Sequence, residues 1–105
     1  MNFENSPDIV FSVKNLEKAV SFFKIFCDLE AEKKDDYYAV KTKHYNMFLV
    51  EGDEFRTMIE FYVDDVDVAL QMCLADDCEI LRWNERDHWL RHPEGFAFHL
   101  EQRKK

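Results

Sequence analysis

The chain has 105 residues, 47% of them hydrophobic and 34% charged, with 22 acidic against 14 basic side chains and a formal net charge of −8. That length fits one compact domain, and no apolar run approaches the ~20 residues of a membrane helix. So acidic a surface argues against nucleic acid, which needs a basic face, and the one basic cluster, Arg103-Lys104-Lys105, is a tail. The opening Met-Asn-Phe-Glu-Asn-Ser-Pro has neither the basic nor the apolar region of a signal peptide, so a cytoplasmic location is expected. Cys27, Cys73 and Cys78 are odd in number and sit in apolar periodic segments. They read as reduced, packed thiols without a metal-binding spacing.

In chain order, alternation of Ile, Phe and Val predicts a first strand over Ile9–Lys14. Asn15 is placed to cap a helix, Glu17 sits at the positive end of its dipole, and Leu16, Ala19, Val20, Phe23 and Cys27 recur at helical spacing. Three short strands follow, over Leu29–Lys34, Tyr37–Lys43 and Tyr45–Glu51, with Lys33-Lys34-Asp35-Asp36 as a solvated loop. Glu51–Arg56, with Gly52, is a connector. A strand over Ile59–Asp64 then leads to a cap at Asp65 and a helix presenting Val66, Ala69, Leu70, Cys73 and Leu74. Strands over Cys78–Asn84, Asp87–Arg91 and Phe96–Glu101 complete the chain. Between the last two, Pro93 suits the second position of a tight turn and Gly95 the fourth.

The order repeats itself. Shifted by 50 residues, Pro7–Asp53 falls on Thr57–Arg103 without a gap. Phe11, Val13 and Ala19 meet Phe61, Val63 and Ala69, and Phe48-Leu49-Val50-Glu51 meets Phe98-His99-Leu100-Glu101. Such self-similarity at a fixed period marks a duplicated unit. The expected organisation is a single α+β domain over 1–105, built from two βαβββ modules at 7–53 and 57–103.

Strand parity divides the side chains into two faces. Ile9, Phe11, Val13, Phe48, Val50, Ile59, Phe61, Val63, Phe98 and Leu100 should pack under the helices. Asp8, Val10, Ser12, Met47, Leu49, Met58, Glu60, Tyr62, Ala97, His99 and Glu101 should line the opposite face. The second set mixes apolar, hydroxyl, acidic and imidazole groups, as small-molecule pockets do; a half-solvated face or dimer packing is the plainer alternative. Candidate ligand-binding residues are Asp8, Ser12, Met47, Leu49, Met58, Glu60, Tyr62, Trp89, His99 and Glu101. Trp83 and Trp89 lie on neighbouring strands, as an aromatic wall or as core. A histidine such as His99 beside carboxylates is a possible acid–base group and, more plainly, a hydrogen-bonded structural one. His88 and His92 are expected at the surface. No nucleophile–histidine–carboxylate order is visible, so no catalytic residue is assigned.

Two successive β-α-β-β-β units, the pair Phe11–Ala19 and Phe61–Ala69, and the closing Arg91-His92-Pro93-Glu94-Gly95-Phe96-Ala97-Phe98-His99-Leu100 resemble the vicinal oxygen chelate superfamily of glyoxalases, extradiol dioxygenases and bleomycin- and fosfomycin-resistance proteins. That resemblance implies two curved mixed sheets around a cleft, and commonly a homodimer. It also implies metal ligands at four strand positions, which here are Asp8, Leu49, Met58 and His99. Leu49 cannot ligate and the Met58 thioether suits hard divalent ions poorly, so no metal or other cofactor is expected. The function implied is sequestration of a small organic molecule, aromatic or cationic, with Glu60, Tyr62, His99 and Glu101 orienting it. The alternatives are a metal-dependent lyase or dioxygenase recruiting Asp8, His99 and nearby glutamates, and an interaction module whose cleft is filled by side chains.

Overall fold

The computed structural model describes residues 3–104 as ten elements. They are β1 (Glu4–Val13), α1 (Leu16–Cys27), β2 (Ala31–Lys33), β3 (Tyr37–Lys41), β4 (Asn46–Glu51), β5 (Thr57–Val63), α2 (Val66–Ala75), β6 (Glu79–Trp83), β7 (His88–Arg91) and β8 (Ala97–Gln102). The fold class is α+β. The chain divides into a first compact unit, Pro7–Thr57, and a second made of residues 3–6 and 58–104.

The first unit is a mixed sheet in the order β2-β3-β4-β1, with β4 parallel to β1 and antiparallel to β3. The second repeats that plan as β5-β8-β7-β6, with β8 parallel to β5 and antiparallel to β7. A parallel pair needs a long crossover, and each unit supplies it with a helix and a strand hairpin. Both helices start where an aspartate or asparagine side chain takes up orphan amides. Asn15 Oδ1 accepts from Lys18 N at 3.0 Å, and Asp65 Oδ1 accepts from Asp67 N and Val68 N at 3.0 and 3.1 Å.

In the second unit, Val63, Ala69, Cys73, Cys78, Leu90, Phe98 and Leu100 form the core, with Phe61, Val66, Leu70 and Trp83 packed on it. In the first, Val40, Met47 and Leu49 form the core beneath Leu16, Ala19, Val20 and Phe23 of α1. This corrects the expected parity of β4. Met47 and Leu49, assigned to the ligand face, lie under the helix, and Phe48 and Val50 take the opposite face.

The cause is one residue in a turn. Phe11 pairs with Leu49 and Phe61 with Leu100, so the first partner advances by 50 positions between units while the second advances by 51. Residues 42–45 join β3 to β4, whereas residues 92–96 join β7 to β8. The shorter turn closes from Thr42 N to Tyr45 O at 3.0 Å; the longer closes from His92 N to Phe96 O at 2.9 Å, with Gly95 N on His92 O at 2.8 Å inside it. Pro93 and Gly95 occupy their expected turn positions, and Gly95, at φ 105°, holds a conformation other residues avoid. A one-residue slip exchanges the two faces of a strand. The gap-free offset was right for β1/β5 and wrong for β4/β8.

Several other side chains lie off the expected pattern. Phe96, expected to begin the last strand, belongs to the turn, exposed and stacked on His92 with ring centroids 4.6 Å apart. Ile59 is exposed. Cys27 ends α1 with its thiol exposed, while Cys73 and Cys78 are buried. His88 and His92 are half-buried rather than on the surface.

Candidate functional site

The second unit brings three ionisable groups together on the face of its sheet turned away from α2. Parallel pairing sets Glu60 beside His99 and Tyr62 beside Glu101, and antiparallel pairing sets Trp89 across from His99. Ligand atoms of Glu60, His99 and Glu101 all lie within 4.8 Å of one another. His99 Nε2 stands 2.8 Å from Glu101 Oε2 and 3.8 Å from Glu60 Oε1. Ser6 donates its hydroxyl to Glu60 Oε2 at 2.6 Å. The His99 and Glu60 side chains are 11% and 13% exposed, and Glu101 is 46% exposed.

The other face of the imidazole is tied down. The His88 backbone N–H donates to His99 Nδ1 at 3.2 Å. His88 in turn points its own Nδ1 at the Leu100 carbonyl, 3.0 Å away. The His88 and His99 rings are nearly parallel with centroids 5.8 Å apart, and the Trp83 ring centroid lies 4.5 Å from that of His88. Burial pushes the His99 pKa below the ordinary histidine value, and the Glu101 carboxylate only partly offsets it. The His88 N–H needs a lone pair on Nδ1, so in this arrangement the ring carries a single proton.

Of the sequence candidates in this unit, Glu60, Tyr62, His99 and Glu101 share this face. Met58 and Trp89 lie on it too, but both are buried. Trp89 sits under the Arg82 guanidinium, 4.3 Å from the ring centroid, and Trp83 packs against the helix-side core. Neither indole forms an open wall. Asp87 closes the same edge: burial opposes its charge, but Arg86 and Arg82 together hold its carboxyl below the usual range.

The first unit carries Asp8 and Ser12 on the corresponding face of β1, with Asn46 Nδ2 donating to Asp8 Oδ1 at 2.8 Å. Met47 and Leu49 are absent from that face, as described. A shallow groove of about 310 Å³ runs along β2–β4, lined by Glu30, Glu32, Lys41, Asn46 and Phe48 among others.

Sequence reading missed Ser6, Arg82 and the His88 backbone amide. No periodic pattern points to an N-terminal serine meeting a strand 54 residues later. The His88 amide is a main-chain group, and no residue type signals it. Bringing the register correction to the metal positions replaces Leu49 by Phe48, again a hydrocarbon. Phe48 and Met58 supply no hard donor for a divalent ion, whereas Glu60, His99 and Glu101 of the second unit each offer one ligand atom, all within 4.8 Å of one another, close enough by distance alone to hold one.

No protein-family model matches the chain, and no curated protein matches it. Solved structures do. A glyoxalase/bleomycin resistance protein/dioxygenase superfamily member from Vibrio splendidus 12B01 superposes with a TM-score of 0.69 at 14% identity, over 97% of this chain and 100% of that one. A structure from Legionella pneumophila described as an NAD-dependent benzaldehyde dehydrogenase gives 0.67 at 17% identity, over 92% and 98%. A hypothetical protein from Bacillus halodurans C-125 gives 0.67 at 12% identity, over 100% and 97%. Identities this low speak to shape and not to activity. The protein has the fold of the vicinal oxygen chelate superfamily, the glyoxalase and bleomycin-resistance fold.

Proposed function

We propose that this chain binds a small organic molecule by sequestration, on the face of the second sheet turned away from α2. The observation that carries the reading is the placement of Glu60, His99 and Glu101 within 4.8 Å of one another on that face. Glu60 and His99 are nearly buried there, where an ionisable group costs free energy unless it is partnered, while Glu101 stays open to solvent. Apolar contact supplies most of the affinity, and Glu60, Tyr62, His99 and Glu101 orient the ligand. Trp89, buried beneath Arg82, is a floor and not a lid. The likeness to a bleomycin-resistance and glyoxalase fold supports a binding role without naming its ligand.

Fluorine-detected NMR screening of a small fragment library tests the proposal. Bound fragments should perturb the amides of Glu60, Tyr62, His99 and Glu101. Glu60→Ala should weaken the best fragment about ten-fold, the equivalent of one charge-assisted hydrogen bond. Fragments that all map elsewhere, or affinities untouched by both Glu60→Ala and Tyr62→Phe, would remove the assignment.

A further inference from the structure

We infer that the Glu60–His99–Glu101 cluster is a seat for a protonated amine, anchored on the Glu101 carboxylate, and not for a divalent metal ion. The inference rests on the reading of this face as ligand-binding and names the ligand's chemical class.

A main-chain amide fixes the proton of His99. The His88 N–H can only donate, and it points at His99 Nδ1 from 3.2 Å. In the neutral imidazole one nitrogen donates and the other accepts. Nδ1 is therefore the acceptor, and the single proton sits on Nε2. That proton faces carboxylates: Glu101 Oε2 accepts it at 2.8 Å, with Glu60 Oε1 at 3.8 Å.

A divalent metal would need the lone pair of Nε2, the nitrogen that carries the proton. Moving that proton to Nδ1 sets two donors against each other and deprives the His88 amide of its acceptor. Each such loss lowers affinity about ten-fold or more. The usual second partner of a metal-bound histidine is an acceptor on the far nitrogen; here that place is taken by a donor.

An ammonium group asks nothing of the imidazole. It has three donors and no acceptor and is matched to carboxylate oxygens. His99 fixes one oxygen of Glu101 through its N–H, and nearly half of that side chain stays exposed. Glu60, oriented by Ser6, sets a second carboxylate alongside. The fold does not require these charges, because the register places Val10, Phe48 and Val50 at the corresponding positions of the first unit.

NMR titration of the intact protein decides the matter, using benzylammonium and benzyl alcohol as probes and Zn²⁺, Ni²⁺ and Mn²⁺ in separate samples. Long-range proton–nitrogen spectra should show His99 protonated at Nε2 and not at Nδ1. Benzylammonium should bind about ten-fold tighter than benzyl alcohol. Glu101→Gln should weaken benzylammonium about ten-fold or more and bring the two probes to equal affinity. Stoichiometric metal binding that strips the Nε2 proton overturns the inference, as does an Nδ1–H tautomer. Equal affinity for the two probes overturns it too, yet leaves the binding face standing. Failure of both probes to bind removes the face and the inference together.

Discussion

The two units share a plan and differ in what they put on one face. Where the second sheet carries Glu60, His99 and Glu101, the first carries Val10, Phe48 and Val50 at matching register positions. On the opposite faces Leu49 and Leu100 correspond and both are fully buried. Helix-side packing is thus held to one solution in both copies, while the other face is open to different chemistry. The polar cluster is an addition to the scaffold, and the extra residue in the β7–β8 turn is what aims it.

The largest expected effect comes from removing that residue. Deleting Glu94 should make the second turn as short as the first and drive β8 toward the opposite parity, sending Phe98 and Leu100 outward and His99 inward. The combined loss of apolar burial and entry of unpartnered polar groups is about 5 kcal/mol or more. Circular dichroism should show no cooperative unfolding. A Glu94 deletion that melts like the parent would break the account of the turn.

Next in size, Leu49→Ala and Leu100→Ala should each cost ~2–5 kcal/mol in urea unfolding, because both are fully buried in helix-side cores. Equal costs sharpen the correspondence of the two positions. A Leu49→Ala cost under ~1 kcal/mol would restore the parity expected before the register was known.

The triple replacement Glu60→Val, His99→Phe, Glu101→Val gives the second unit the pattern of the first. Exchanging the two carboxylates for well-packed apolar groups is neutral or stabilising by ~1–4 kcal/mol, and losing the His99 acceptor of the His88 amide costs about 1–3 kcal/mol against it. Calorimetry should find the thermal midpoint close to that of the parent. A collapse in stability would mean that the cluster is structural.

The pH dependence is smaller. His99 is held below the ordinary histidine pKa mainly by burial. The unfolded chain therefore takes up that proton first as pH falls, and stability declines below pH ~6.5 until the folded state is protonated too. The slope from this one group is at most about 1.4 kcal/mol per pH unit. It should vanish from denaturation curves of His99→Gln between pH 5 and 7. A slope of the opposite sign would show that carboxylate attraction, and not burial, controls the ring.

The least costly contrast lies in the thiols. Burial pushes Cys73 up to about 11, with Cys78 adding to it, and burial also raises Cys78. A chromogenic thiol reagent at pH 8 should label exposed Cys27 rapidly and the other two only on unfolding. Three fast thiols would contradict the core of the second unit.

Much of the fold could be read from residue order. Alternation in β1 and β5, the caps at Asn15 and Asp65, and the Pro93–Gly95 turn act over a few residues, so local chemistry determines them. The offset of 50 between copies located the strands, and the parity of β5 and β8 put Glu60, Tyr62, His99 and Glu101 on one face. Strand ends were less legible, since β1 begins at Glu4 and β2 shrinks to Ala31–Lys33. Their limits depend on which neighbours are available for hydrogen bonding.

By itself, then, the sequence determined the duplicated strand–helix plan, because periodicity and capping are properties of neighbours along the chain. Only the tertiary structure decided that Leu49 packs under α1 and Phe48 does not, since parity depends on the register between strands and a turn one residue longer reverses it. It also decided the proton of His99, because the group that fixes it is the main-chain amide of His88, eleven residues earlier. Every non-proline residue carries such an amide, so only its place in space could distinguish this one.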